Sequence, residues 1–297
     1  MSNDKRRSMI THVNQHWIPR SYLKAWCDPN HPNKVVHTYK SDGTYDCWRP
    51  PSRIFSAEDL YTIESNGQRD LATERILNRI EDVFLKKIRD LSRGCDLDDG
   101  HRAAIALYTA TIRSPRARDH WQAFKDRVVA VGNEMEQALR RATPEERARM
   151  AAISSIGARD RRRSMTLDEA RAAAIEPFGK WLLRHIRIEA ETLEQLNLTI
   201  VEAPEGIGFI TSDNPVVWYN ANRPLEEQGR FGLGSPGIEV TMPLTPRLCA
   251  LFDRTKRTGR ANADQAYVDM INMRTLAFCD ERFVASSSEL VVDWRQS

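Results

Sequence analysis

Leu198-Thr199-Ile200-Val201 marks the point where the chain changes period. Before it, apolar residues recur at helical spacing. From residue 196 onward they fall in short runs rich in β-branched and aromatic residues, the pattern of strands. Further strands are expected at 208–211, 216–219, 238–242, 248–252, 282–286 and 290–292. The segment 220–237 is rich in Gly, Pro and Asn and reads as a long loop, and Asn262 reads as the cap of a helix reaching Ala277.

Working back toward the N-terminus, Leu77, Ile80, Phe84, Ile88 and Leu91 predict an amphipathic helix that ends at Gly94. A second helix opens near Asp98, and Pro115 disturbs it or begins a third. Thr166-Leu167-Asp168-Glu169 is a capping box for a helix running toward Leu193, with a kink expected at Pro177. Between residues 15 and 69, Pro19, Pro29, Pro32, Pro50 and Pro51 exclude a long helix, while Val35–Tyr39, a turn at Ser41–Thr44 and Tyr45–Trp48 predict a hairpin. The order is a flexible lead-in (1–14), a mixed β region (15–69), a helical block (about 70–193) and a β-rich region (196–297). Segregated elements predict an α+β fold, a single domain over 1–297. Its helices pack on a mostly antiparallel C-terminal sheet that the N-terminal segment joins.

Composition narrows the class. A chain of 297 residues with 41% hydrophobic and 29% charged residues can bury a core. Its 44 basic and 41 acidic residues leave a net charge of +3, which argues against a dedicated, strongly basic nucleic-acid binder. No run approaches the roughly 20 apolar residues that cross a bilayer. The first residues are charged and no signal-length apolar stretch follows them, so a cytoplasmic protein without a membrane partner is expected. Five cysteines without regular spacing read as free thiols.

Two distant segments carry the chemistry. Gln15-His16-Trp17-Ile18-Pro19-Arg20 holds an imidazole on backbone that Pro19 makes extended, where it can serve as base, acid or ligand, or satisfy a buried backbone group. Thr211-Ser212-Asp213-Asn214-Pro215 puts a carboxylate at a strand end, where Asp is either a turn former or a site residue. Glu74 and Glu81, seven residues apart, share a helix face. Arg113 closes an apolar helical stretch and can bind an anion bidentately. The basic run at Arg159 and 161–163 reads as a solvated loop, with a phosphate contact as the sharper alternative. His12 and His16 have metal-like spacing only on a helix, which Pro19 opposes, and no HExxH pattern supports a metal there. Phosphate-loop, dinucleotide-fold and serine-elbow patterns are missing.

These residues, taken together, resemble a bacterial family known as domain of unknown function (DUF) 4238. The resemblance rests on His16-x-x-Pro19-x-x-Tyr22-Leu23-x-x-Trp26, the glutamates Glu74 and Glu81, Arg113-Ser114-Pro115, Thr211–Pro215, Pro243-Leu244-Thr245-Pro246 and Asn272. It covers nearly the whole chain. Trp26 stands where the family pattern has phenylalanine, and Arg20 where it often has glutamine. The resemblance implies that His16, Glu81, Arg113 and Asp213 belong to one site, and it supplies no activity.

The expected function is hydrolysis of a phosphoester in a nucleic acid or nucleotide. His16, Asp213 and Glu81 are the catalytic candidates, and Arg113, Asn214 and Asn272 the substrate-binding ones. A divalent metal is an open alternative for the cofactor. The competing reading is a non-catalytic sensor or interaction module whose polar cluster is structural. The enzyme reading needs the N-terminal segment to meet the β-rich end so that His16 and Asp213 share a cavity.

Overall fold

The computed structural model describes residues 14–287 apart from 59, 61–62, 66–67, 113–114, 150–177, 225–226, 229–230 and 256. The capping box at 166–169, Pro177, the basic run 159–163, His12, Arg113 and the strand expected at 290–292 lie outside the described residues. The fold is α+β. By contacts the chain divides into two compact units, one from residues 1–115 with 183–297 and the other from 116–182.

In the first unit, the helices are α1 (Arg20–Leu23), α2 (Ala72–Ser92), α3 (Asp99–Thr111) and α6 (Gln265–Ala277). Helix α4 (Pro115–Arg141) belongs to the second unit from Arg116, and α5 (Phe178–Glu194) enters the first unit at Leu183. Within the second unit, Trp121 stacks on Trp181 with ring centroids 4.5 Å apart.

The strand-rich end forms a five-stranded sheet ordered β12 (Gly259–Asn262), β7 (Asn197–Glu202), β11 (Leu248–Asp253), β10 (Ile238–Pro243), β9 (Val217–Asn220). Every pairing is antiparallel except β12 with β7. All six residues of the central strand β11 are buried, so the sheet is covered on both faces there. On one face Val201, Cys249 and Leu251 pack with Val268 and Ile271 of α6. On the other lies Met242, whose sulfur takes the Thr109 hydroxyl of α3 at 3.3 Å. Behind α3, Tyr108 stacks on Phe84 of α2 with centroids 3.7 Å apart.

A four-stranded antiparallel sheet orders β3 (Tyr45–Arg49), β2 (Val36–Lys40), β13 (Arg282–Ala285) and β8 (Thr211–Ser212). The expected hairpin is therefore present, with Gly43 at φ 80° in its turn. Its strand β2 pairs with β13, which joins the two ends of the chain in one sheet.

Two local readings change. The helix expected from Asn262 is capped by Asp264, whose carboxylate accepts the Tyr267 N–H at 2.9 Å, because Asn262 pairs with Glu202 in β12. The strand expected at 208–211 shrinks to Thr211–Ser212, because the amide of Phe209 binds the Pro246 carbonyl and that of Ile210 binds Asn272 Oδ1.

Candidate functional site

Strand β1 (Asn14–His16) pairs antiparallel with β4 (Ser56–Glu58), which places His16 opposite Ser56 at the end of a short ladder. Pro19 then opens the single turn α1, and a 3-10 turn follows over Lys24–Trp26. This segment is tied down by its aromatic residues. Trp17 Nε1 donates to the Asp213 carbonyl at 3.2 Å, Trp26 Nε1 to the Phe209 carbonyl at 2.8 Å, and the Tyr22 hydroxyl to the Pro243 carbonyl at 2.6 Å. Tyr22 also bonds Thr211 Oγ1 at 2.8 Å. With Tyr22, Leu23 and Trp26 buried, Arg20 and Lys24, four residues apart, are left exposed. The anchor is testable: Tyr22→Phe is expected to cost about 1–2 kcal/mol in a urea titration, since it orphans a buried carbonyl and hydroxyl. An unchanged midpoint would show that the anchor carries no weight.

His16, Arg20 and Lys24 line a cavity of about 530 Å³. Its opposite wall is one stripe of α2: Glu74, Leu77, Asn78, Glu81, Asp82 and Leu85. Those positions recur at three- and four-residue intervals, so a single helix face supplies three carboxylates. Gln15, buried, donates from Nε2 to Glu74 Oε2 at 3.1 Å and fixes that carboxylate. Tyr108 and Thr111 of α3 complete the lining.

The electrostatics single out two groups. Glu81 is pushed up to about 7, chiefly by burial and further by Asp82, against the pull of Arg20 and Lys24. His16 is held below the ordinary imidazole value, chiefly by burial and also by Arg20, with an interaction from the Ser52 backbone opposing them. Its Nε2 is buried and has no hydrogen-bond partner. A residue whose imidazole is held down and one whose carboxyl is pushed up therefore line the same cavity, with Arg20 acting on both. Among the described residues, no group of three or more His, Cys, Asp and Glu is arranged to hold a metal ion.

Of the residues singled out from sequence, the structure brings together His16, Glu74 and Glu81. It does not bring Asp213 to them. The chain does fold back as expected, since Trp17 meets the Asp213 main chain, but the Asp213 carboxylate turns away. Its Oδ1 accepts the amide of Asp280 at 2.9 Å, and its Oδ2 accepts those of Glu281 at 2.6 Å and Arg282 at 3.0 Å. Asn214 donates from Nδ2 to the Phe278 carbonyl at 3.1 Å. Asn272 accepts from the Ile210 amide and donates to the Gly208 carbonyl at 3.0 Å. These three side chains stitch backbone to backbone. Arg20, Lys24 and Asp82 are site residues that sequence reasoning passed over. The signal for the first two was their four-residue spacing behind a proline.

No helix among the described residues is long and apolar enough to cross a membrane. A family model described as "Protein of unknown function (DUF4238)" matches residues 14–289. No curated protein and no solved structure matches the chain.

Proposed function

The chain belongs to the DUF4238 family, which assigns no activity, and from the residues of its cavity we propose that it is a hydrolase that cleaves a phosphoester, in a nucleic acid or nucleotide, by paired acid and base catalysis. One observation carries this reading: His16, whose buried Nε2 has no hydrogen-bond partner, and Glu81, whose carboxyl is raised, are both among the residues that line one 530 Å³ cavity. Proton transfer by positioned groups is most effective when their pKa values lie near the working pH, and burial brings the Glu81 carboxyl up to about 7. In the proposed step the His16 imidazole takes a proton from a water that attacks phosphorus. Glu81 gives its proton to the departing ester oxygen. Arg20 and Lys24 offset the charge of the phosphoryl oxygens. The products are a phosphate monoester (or phosphate) and an alcohol.

The test is nitrophenolate release from bis(p-nitrophenyl) phosphate and p-nitrophenyl phosphate, by the wild type and by His16→Ala, with melting temperatures recorded alongside. The wild type is expected to turn over at least one ester, and His16→Ala to lose that activity while staying folded. A wild type that binds these esters without cleaving them would make the cavity a sensor pocket instead.

A further inference from the structure

A second cavity, of about 500 Å³, adjoins the first and shares Arg20 and Lys24 with it. Lys34 adds a third cation to its lining, and no carboxylate lines it. Among the described residues none of these three cations forms an ion pair. Cys27 lies within electrostatic reach of both Lys24 and Lys34, so the charges sit round one space. Ser52, whose backbone interacts with the His16 ring, lines it too. Three cations without an ion pair round a cavity repel one another, and an anion relieves that repulsion.

Lys34 is held there at a cost. Its backbone has φ 47°, the left-handed region that glycine enters freely and other residues enter rarely. The turn around it is fixed by the Lys34 amide on the His31 carbonyl at 3.0 Å and the Cys27 thiol on the Lys34 carbonyl at 3.1 Å. Glycine would fit this turn with less strain; what lysine adds is a charge at the cavity. Beside the turn, Trp48 is 52% exposed and its ring lies 5.2 Å from that of His31. The exposed ring of Trp48, against His31 of this turn, offers a nucleobase a surface to stack on, and the 500 Å³ cavity leaves room for more than a phosphate alone.

We infer that this second cavity is a phosphate subsite centred on Lys34, so that the substrate carries two phosphate groups, one in each cavity. The inference rests on the larger cavity being the hydrolytic site. Bisphosphorylated nucleosides and bisphosphorylated sugars share the required chemistry, and Trp48 favours the former.

Isothermal titration with thymidine 3′,5′-bisphosphate, thymidine 5′-monophosphate and fructose 1,6-bisphosphate tests it on the wild type, Lys34→Gly and Lys34→Arg. The wild type is expected to bind the thymidine bisphosphate about tenfold more tightly than the monophosphate, the scale of one charge-assisted contact. Lys34→Gly, which suits the backbone and so folds, is expected to bring that ratio to about one, and Lys34→Arg to restore most of it. Equal binding of the two by the wild type, or a ratio untouched in Lys34→Gly, overturns the inference. Tighter binding of the thymidine compound than of the fructose one, lost in Trp48→Ala, assigns a nucleotide; equal binding assigns a base-free ligand. A bisphosphate preference without any ester cleavage keeps this subsite and removes the hydrolase reading, and cleavage without the preference does the reverse.

Discussion

Asp213→Ala is expected to lower the stability of the protein by on the order of 3–5 kcal/mol, the largest loss for any single polar side chain described above. The carboxylate is 3% exposed and accepts three consecutive backbone amides, those of Asp280, Glu281 and Arg282. Those amides precede and open β13, the strand that joins the N-terminal hairpin to β8. Alanine leaves three N–H groups without an acceptor. Each orphaned group costs about 1–3 kcal/mol, and the total stays below the sum because the turn relaxes toward water. Asp213→Asn is expected to fall between the two. It keeps one acceptor oxygen but turns an NH₂ toward amides that need an acceptor. Urea unfolding followed by circular dichroism measures both. Turnover per folded molecule is the second readout: a carboxylate that only ties down backbone leaves it in place, whereas one that takes part in chemistry does not. A wild-type midpoint for Asp213→Ala would overthrow this assignment.

Asp213 also shows where reading from sequence stops. An Asp before Asn-Pro at a strand end is both a good turn former and a well-placed site carboxylate, and the local pattern is the same in the two cases. What decides between them is the loop 280–282, nearly seventy residues away, whose amides are visible only in the fold. The Glu74–Glu81 pair was legible because seven residues is two helical turns, a property of α2 alone. Their shared face needed no tertiary knowledge, but its partner did. The β1–β4 pairing that aims His16 across from α2 links residues about forty positions apart. Arg20 illustrates a different loss. The sequence marks it only as the position where the family pattern often has glutamine, and it is the burial of Tyr22, Leu23 and Trp26 that leaves it on the cavity side. Asn262 and Asp264 are both plausible helix caps, and the parallel pairing of β12 with β7 settles the choice by claiming Asn262.

Glu81→Gln is expected to reduce kcat/KM for a phosphoester by about 10²–10⁴, the usual worth of a positioned proton donor. Glutamine matches the shape and still donates a hydrogen bond, but it holds no proton to give. The pH profile makes the assignment specific. His16 works as a base in its neutral form, and its value is lowered from 6.5, so the base is ready from below that pH upward. Glu81 works as an acid in its protonated form, present below about 7. Wild-type kcat/KM is therefore expected to be bell-shaped, falling on the acid side with His16 and on the alkaline side near 7. In Glu81→Gln the alkaline limb should vanish, leaving a low plateau above the His16 step. Stability supplies a readout independent of turnover. The folded state binds the Glu81 proton more tightly than the unfolded chain, about 7 against an ordinary 4.5. That contribution is complete below about 4.5 and is lost as pH rises through about 7. Removing the ionisable group removes this slope, so Glu81→Gln should gain stability relative to wild type at pH 8 while losing activity. An alkaline limb that persists in the variant would assign the proton to another group, and a variant less stable than wild type at pH 8 would make Glu81 a structural carboxylate.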